Sequence, residues 1–278
     1  MSDVITVIGH IGTGRRPPFV GILGGMGPLA GVDFAAKLVE AGARVCGASR
    51  DQEQVPFVLW SVPQIPPRVD ALADAAAPSP LPAMIVALEA LDRLGVDVIA
   101  VACNTAHAWY GEMVARVDAP IIHIADAAVA TVPDGVKCVA LMATTATQEL
   151  GFYQERLARR GMATVLPTED EMRDLVKPAI AMVKRGIVKD GVPLLERAIV
   201  ALKARGAEAV VLGCTEIPVV MSHESARPAL RVIDATAALA EACVRAPVRA
   251  QGEPAGHVVD LGQSVSTHTP GQAAGEVG

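Results

Sequence analysis

The chain has 278 residues, 51% of them hydrophobic and 19% charged, which suits one or two domains with a large core and excludes wholesale disorder. A net charge of −6 with no dense basic run argues against nucleic acid or an anionic membrane as the main partner. With no run of about 18 apolar residues, no signal-peptide pattern and five scattered cysteines lacking any CxxC or CxxH pair, the expectation is a cytoplasmic α/β protein with free thiols and no metal site.

Residues 1–18 read as a flexible arm. Beyond them, apolar runs at Phe19–Leu23, Phe57–Trp60, Val96–Ala102, Cys138–Met142, Ala163–Leu166 and Ala209–Leu212 predict buried strands. Helical patterns at Leu29–Ala41, Ala83–Leu94, Gln148–Arg160, Leu175–Arg185 and Leu194–Ala204 alternate with them. Gly42, Gly95, Gly161 and Gly206 mark the helix ends, since glycine tolerates a left-handed cap. This alternation predicts parallel sheets flanked by helices. From Pro247 the composition turns to Gly, Pro, Gln, Ser and Thr, which reads as a disordered tail over 247–278.

The chain repeats itself. Phe19–Gly42 aligns without gaps on Cys138–Gly161, and Asp97–Ala108 echoes Glu208–Val219 with Cys103 opposite Cys214. Two matches in the same order predict two similar α/β domains, 19–126 and 127–235, with a return of residues 236–245 to the first left open. Strand C-termini of both sheets would face a shared cleft.

Cys103 (AVACNTAH) and Cys214 (VVLGCTEIP) each end an apolar strand at the turn into a helix, where backbone N–H groups favour a thiolate. A single such cysteine is ordinarily a buried structural residue. Two at equivalent points of a repeat suit a different task, in which one thiolate removes an α-proton and the other thiol returns a proton to the opposite face. Asn104, Thr105 and Thr215 stand ready to hold a carboxylate, and His107 and Glu216 to tune the thiols or cap their helices. The turn GGMGP (Gly24–Pro28) permits close backbone approach to an anion, but GxGxxG is absent, so a dinucleotide is not expected. Its counterpart, Ala143–Thr147, offers hydroxyls instead. Gln64 and Arg68 of PQIPPR, and Lys184 of MVKRG, add polar groups; an Arg or Lys taken alone is ordinarily a surface residue. His123 and Asp126 read as structural.

GILGGMGPLA, PQIP, CNTAHA, HIADA, TEDE and GCTEIPVV together closely resemble the aspartate/glutamate racemase family, and within it the PLP-independent aspartate racemases, over about residues 19–240. The resemblance implies two pseudo-twofold-related α/β domains with the site between them, no cofactor, a small amino-acid substrate and usually a homodimer. It implies acid/base roles for Cys103 and Cys214. It also implies substrate contacts from Met26, Gln64, Arg68, Asn104, Thr105, the Thr144–Thr147 stretch, Lys184, Thr215 and Glu216. Aspartate racemases often carry an acid immediately before the arginine; here Pro67 stands there, which leaves glutamate or a wider range of amino acids open. Arylmalonate decarboxylases and maleate isomerases resemble the same layout, so isomerisation or decarboxylation of a small dicarboxylate is the alternative chemistry. A non-catalytic amino-acid-binding protein and a Cys103–Cys214 redox pair are the readings from other classes.

Overall fold

The apolar runs become strands because both of their faces are covered: every residue of β1 (Val20–Gly24), β3 (Val98–Val101) and β6 (Ala209–Gly213) is buried. A computed structural model describes residues 16–249. Its other strands are β2 (Phe57–Ser61), β4 (Cys138–Ala143), β5 (Ala163–Val165) and β7 (Arg231–Asp234). They form two sheets, β2-β1-β3 and β5-β4-β6-β7, with every pairing parallel. The sheets correspond strand for strand, and where the second carries β7 the first keeps a single parallel bridge, Ile99 to Ile121.

In the first half the helices are α1 (Pro28–Cys46), α2 (Arg68–Ala73), α3 (Leu81–Arg93), α4 (Tyr110–Val114) and α5 (Ile124–Ala130). In the second they are α6 (Thr145–Leu150), α7 (Phe152–Arg159), α8 (Glu169–Glu171), α9 (Lys177–Lys184), α10 (Val192–Ala204), α11 (Glu216–Met221) and α12 (Ala235–Val244). Gly95, Gly161 and Gly206 take the positive φ expected at helix ends. Gly42 does not end α1, which continues to a left-handed cap at Gly47 (φ 69°). A Cβ on Gly42 would meet Gln54 Oε1 at 2.9 Å and Val55 at 3.1 Å, so glycine there answers to packing. The expected helix over 148–160 is broken by Gly151 (φ 71°) into α6 and α7. The expected helix at 175 begins earlier. Thr168 and Glu171 form a capping box that starts α8, and a π-type turn over Met172–Val176 carries it into α9.

The last helix of each half packs on the first helical layer of the other: α12 lies against α1, and α5 against α7. One core results, in which Phe34 and Leu38 of α1, Ile124 of α5, Tyr153 and Leu157 of α7, and Leu239 of α12 are all buried. Each such large side chain contributes about 1.5–3 kcal/mol on burial. The outer faces of the sheets are covered separately, the first by Leu88 and Leu91 of α3, the second by Leu195 and Leu202 of α10.

At the base of the first sheet Asp97, 1% exposed, pairs with both guanidinium nitrogens of Arg16 (2.5 and 3.0 Å) and accepts the Phe19 and Arg249 backbone N–H groups at 2.6 and 2.7 Å. The structured body thus extends past the expected limits of 19 and 245. The remainder of the expected arm and tail, 1–15 and 250–278, lies outside the described residues. Among the described residues no helix is long and apolar enough to cross a membrane.

Candidate active site

A cleft of about 120 Å³ opens where the C-terminal ends of β1, β3, β4 and β6 meet. Its walls come from both halves: Met26, Pro67, Arg68, Val69, Asp70, Cys103 and Thr105 from the first, Thr144, Ile180, Lys184 and Glu216 from the second. Drug-sized ligands need about 300–1,000 Å³, so this cleft fits a small metabolite. A wider depression along α10 (Pro193, Glu196, Arg197, Val200) is walled by a single helix, lacks converging polar groups and is open surface.

The turn after β1 is shaped by Gly25 (φ 92°), where a Cβ would sit 2.3 Å from the Val62 backbone N, so only glycine lets the strand end so close to its neighbour. Met26 follows, with Pro28 opening α1. The Met26 carbonyl accepts from Arg68 Nη2 at 3.0 Å, while Nη1 donates to the Pro66 and Ile65 carbonyls at 3.0 and 3.3 Å. Arg68 is therefore held by backbone at the start of α2. Its buried Nε–H has no partner among the described residues.

Cys103 is buried on the cleft wall. His107 braces it from behind: Nδ1 donates to the Cys103 carbonyl (3.0 Å) and Nε2 accepts the Ile124 N–H (3.3 Å). Only a neutral ring makes both bonds, and burial holds the His107 pKa down to about 4. His107 thus fixes the backbone of Cys103 and does not bond its sulfur. Asn104 accepts the Tyr153 O–H at 2.6 Å through Oδ1, which leaves its buried Nδ2–H₂ without a partner among the described residues.

Three threonine hydroxyls tie the halves together. Thr105 lies 3.0 Å from Thr144 and 2.9 Å from Thr147, and Thr144 donates to Thr147 at 2.9 Å. Thr144 is also the N-cap of α6 and accepts the Thr147 N–H. In the second half Cys214 is buried and donates its S–H to Glu216 Oε2 at 3.1 Å, which also accepts from Thr215 Oγ1 at 3.3 Å. Cys214 does not itself line the cleft; Glu216 does.

The thiols differ in their electrostatic neighbours. Burial pushes the Cys103 thiol up and the Glu216 carboxylate adds to this, while the Arg68 guanidinium offsets part of it, so the thiol stays above its ordinary value. Burial pushes Cys214 well above the usual thiol range, and the Glu216 carboxylate pushes the same way. Of the residues expected at the site, Met26, Arg68, Cys103, Thr105, Thr144, Lys184 and Glu216 line the cleft; Cys214, Asn104, Thr147 and Thr215 are buried and do not line it, and Gln64 is exposed and off its wall. Pro67, noted in the sequence for the acid it replaces, lines the cleft, and so do Val69, Asp70 and Ile180, which no motif marks. TEDE, for its part, caps a helix (Thr168 to Glu171) and does not reach the cleft.

A profile of the Asp/Glu/hydantoin racemase family matches residues 23–243. The chain belongs to this family. It is 34% identical to the solved aspartate racemase of Picrophilus torridus, with 82% of this chain and 93% of that one covered and a TM-score of 0.72. It is 27% identical over 225 residues to the broad specificity amino-acid racemase RacX of Bacillus subtilis (strain 168), covering 81% of this chain and 96% of that protein. An aspartate racemase homologue from Pyrococcus horikoshii OT3 shares the fold at 23% identity and a TM-score of 0.64, with 82% and 97% covered. Family membership agrees with the two parallel, helix-flanked sheets, and the cleft takes its walls from residues that follow strands of both.

Proposed function

We propose that this protein is a cytoplasmic, cofactor-independent racemase that inverts the α-carbon of aspartate or a similar acidic amino acid by a two-thiol proton transfer. The observation that carries the reading is a pair of buried cysteines at equivalent strand ends with different neighbours, Cys103 beside a guanidinium and Cys214 hydrogen-bonded to a carboxylate. A two-base racemase needs one group ready to take a proton and the other loaded with one. Cys103 suits the first role and Cys214 the second.

As the α-C–H bond breaks, the proton passes to Cys103 and its electron pair stays on the α-carbon. Cys214 then delivers its S–H proton to the opposite face and becomes the thiolate. The enantiomer formed has the reverse arrangement as its starting point. The carbanion gains stability from the substrate carboxylate, whose developing negative charge needs donors. Arg68 Nε–H and Asn104 Nδ2–H₂, both buried and unpartnered among the described residues, are suited to supply them. The cations Arg68 and Lys184 on the wall favour an acidic side chain.

A wider substrate range is favoured by one feature, the apolar part of the wall made by Pro67, Val69 and Ile180. The Bacillus subtilis relative RacX is a broad specificity amino-acid racemase. Proton NMR of the reduced protein in D2O with L-aspartate, L-glutamate and neutral amino acids, without added PLP, tests both. Loss of the α-proton signal together with appearance of the D-enantiomer is the expected result, fastest for aspartate or glutamate. No exchange with any amino acid would eliminate the racemase reading, and equal rates for acidic and neutral substrates would favour the broad one.

A further inference from the structure

The cleft wall carries two cations, Arg68 and Lys184, and two carboxylates, Asp70 and Glu216. The carboxylates are not equivalent. Glu216 is buried, and its Oε2 is already occupied by the Cys214 S–H and the Thr215 O–H. Its Oε1 lies against the Gly27 backbone, 3.1 Å from where a Cβ would stand. Asp70 is exposed at the cleft and enters no ion pair or side-chain hydrogen bond among the described residues, although Arg68 begins the same helical turn. The guanidinium of Arg68 is turned instead to the carbonyls of Met26, Ile65 and Pro66. The structure thus keeps a negative charge uncompensated at the edge of a site whose cations would bind carboxylates.

We propose that Asp70 is the acceptor for the substrate's α-ammonium group and so selects amino acids over the corresponding unaminated dicarboxylic acids. The inference rests on the amino-acid reading above and adds a specificity-determining residue to it. An acidic amino acid brings two carboxylates and one ammonium. Arg68, Lys184 and the buried donors answer the carboxylates, Glu216 is committed to the thiol, and Asp70 alone on the wall is a free anion. The competing role for an aspartate in the first turn of α2 is favourable interaction with the helix N-terminus. That role concerns the stability of the helix and is indifferent to whether the ligand carries nitrogen.

Equilibrium binding separates the two. Calorimetric titration of L-aspartate and of succinate, which lacks only the ammonium, into the wild type and Asp70→Asn supplies four dissociation constants. The expected result is aspartate weakened about tenfold, the low end for a charge-assisted hydrogen bond because Asp70 is exposed, with succinate changed less than about twofold. Equal weakening of both ligands, or unchanged aspartate affinity, overturns the proposal. Asp70→Glu, which keeps the charge, should recover part of the aspartate affinity; recovery of none would count against the ammonium contact. Since binding and α-proton exchange are separate readouts, a wild type that binds aspartate but exchanges no α-proton would refute the racemase reading while leaving Asp70 to be judged on the ratio. Failure of the wild type to bind aspartate at all would overturn both.

Discussion

The two halves of the molecule share a backbone plan and differ in what they attach to it. Asp97 and Glu208 are equivalent residues at the base of β3 and β6. Each closes its sheet in the same way: their N–H groups donate to the Phe19 and Cys138 carbonyls, and their carboxylates accept the N–H of Phe19 and Lys137. Asp97 is buried and collects Arg16 and Arg249 as well; Glu208 stays exposed with one backbone bond. At the other end of the same strands, the residue two beyond each cysteine is Thr105 in the first half and Glu216 in the second. Ladder register preserves the architecture through such changes, because backbone hydrogen bonds do not depend on side-chain charge. The loops at the strand ends are free to differ, and there the two thiols have different charged neighbours.

The strongest way to break this comparison is to remove either thiol. Cys103→Ala and Cys214→Ala should each lower racemisation by about 10²–10⁴-fold while circular dichroism stays native. Near-full activity in one of them would mean that a single thiol suffices and that the equivalence has no catalytic meaning.

Acid should act on the two halves unequally. His107 has no histidine counterpart, since Pro218 occupies the matching position, and His123 is likewise held well below its usual range by burial, His107 and Arg156. With a folded pKa of about 4 for His107 against about 6.5 unfolded, the unfolded chain takes up the proton first. Stability is therefore lost as pH falls from about 6.5 to about 4, by about 3 kcal/mol for this one residue. Urea midpoints measured at pH 7.5, 5.5 and 4.5 should fall more steeply for the wild type than for His107→Gln; parallel curves would show that the ring titrates freely.

Asp97→Ala should cost about 3 kcal/mol, as removal of one member of a buried pair does, and Glu208→Ala less than about 1 kcal/mol. Similar losses in chemical denaturation would mean that the two closures carry equal weight. The smallest effect is expected at Glu216. In the wild type Cys103 should alkylate before Cys214, and Glu216→Gln should narrow the gap several-fold by withdrawing the negative charge that holds the Cys214 proton. Mass spectrometry after brief iodoacetamide treatment reads the order directly, and an unchanged order and gap would remove Glu216 from any role in setting the thiols apart.

Much of this was legible in the sequence. Long apolar runs such as Ala209–Leu212 declare themselves because a strand covered on both faces has no polar alternation to dilute. β7 escaped because four residues, Arg231-Val-Ile-Asp, are charged at both ends. α12 escaped because its Ala-rich run is buried on nearly every side and presents no polar stripe. Gly42 misled because a close approach and a helix stop ask for the same residue. Within the site, Cys103, Arg68 and the threonines were found through motif and repeat. Asp70 and Ile180 enter the cleft only through the way α2 and α9 face each other, a tertiary fact with no local spacing to announce it. Gln64 shows the reverse, a motif residue that packing leaves outside.

The crossing of α5 and α12 bears on how such a molecule arose. A lone half would leave the apolar face of its first helical layer bare and its last helix without a seat, and a second identical half would supply both. The same contacts would be made by a helix-exchanged pair of identical half-chains across a twofold axis. Within one chain the two copies are free to differ, as Thr105 and Glu216 do at matching positions beside the two thiols.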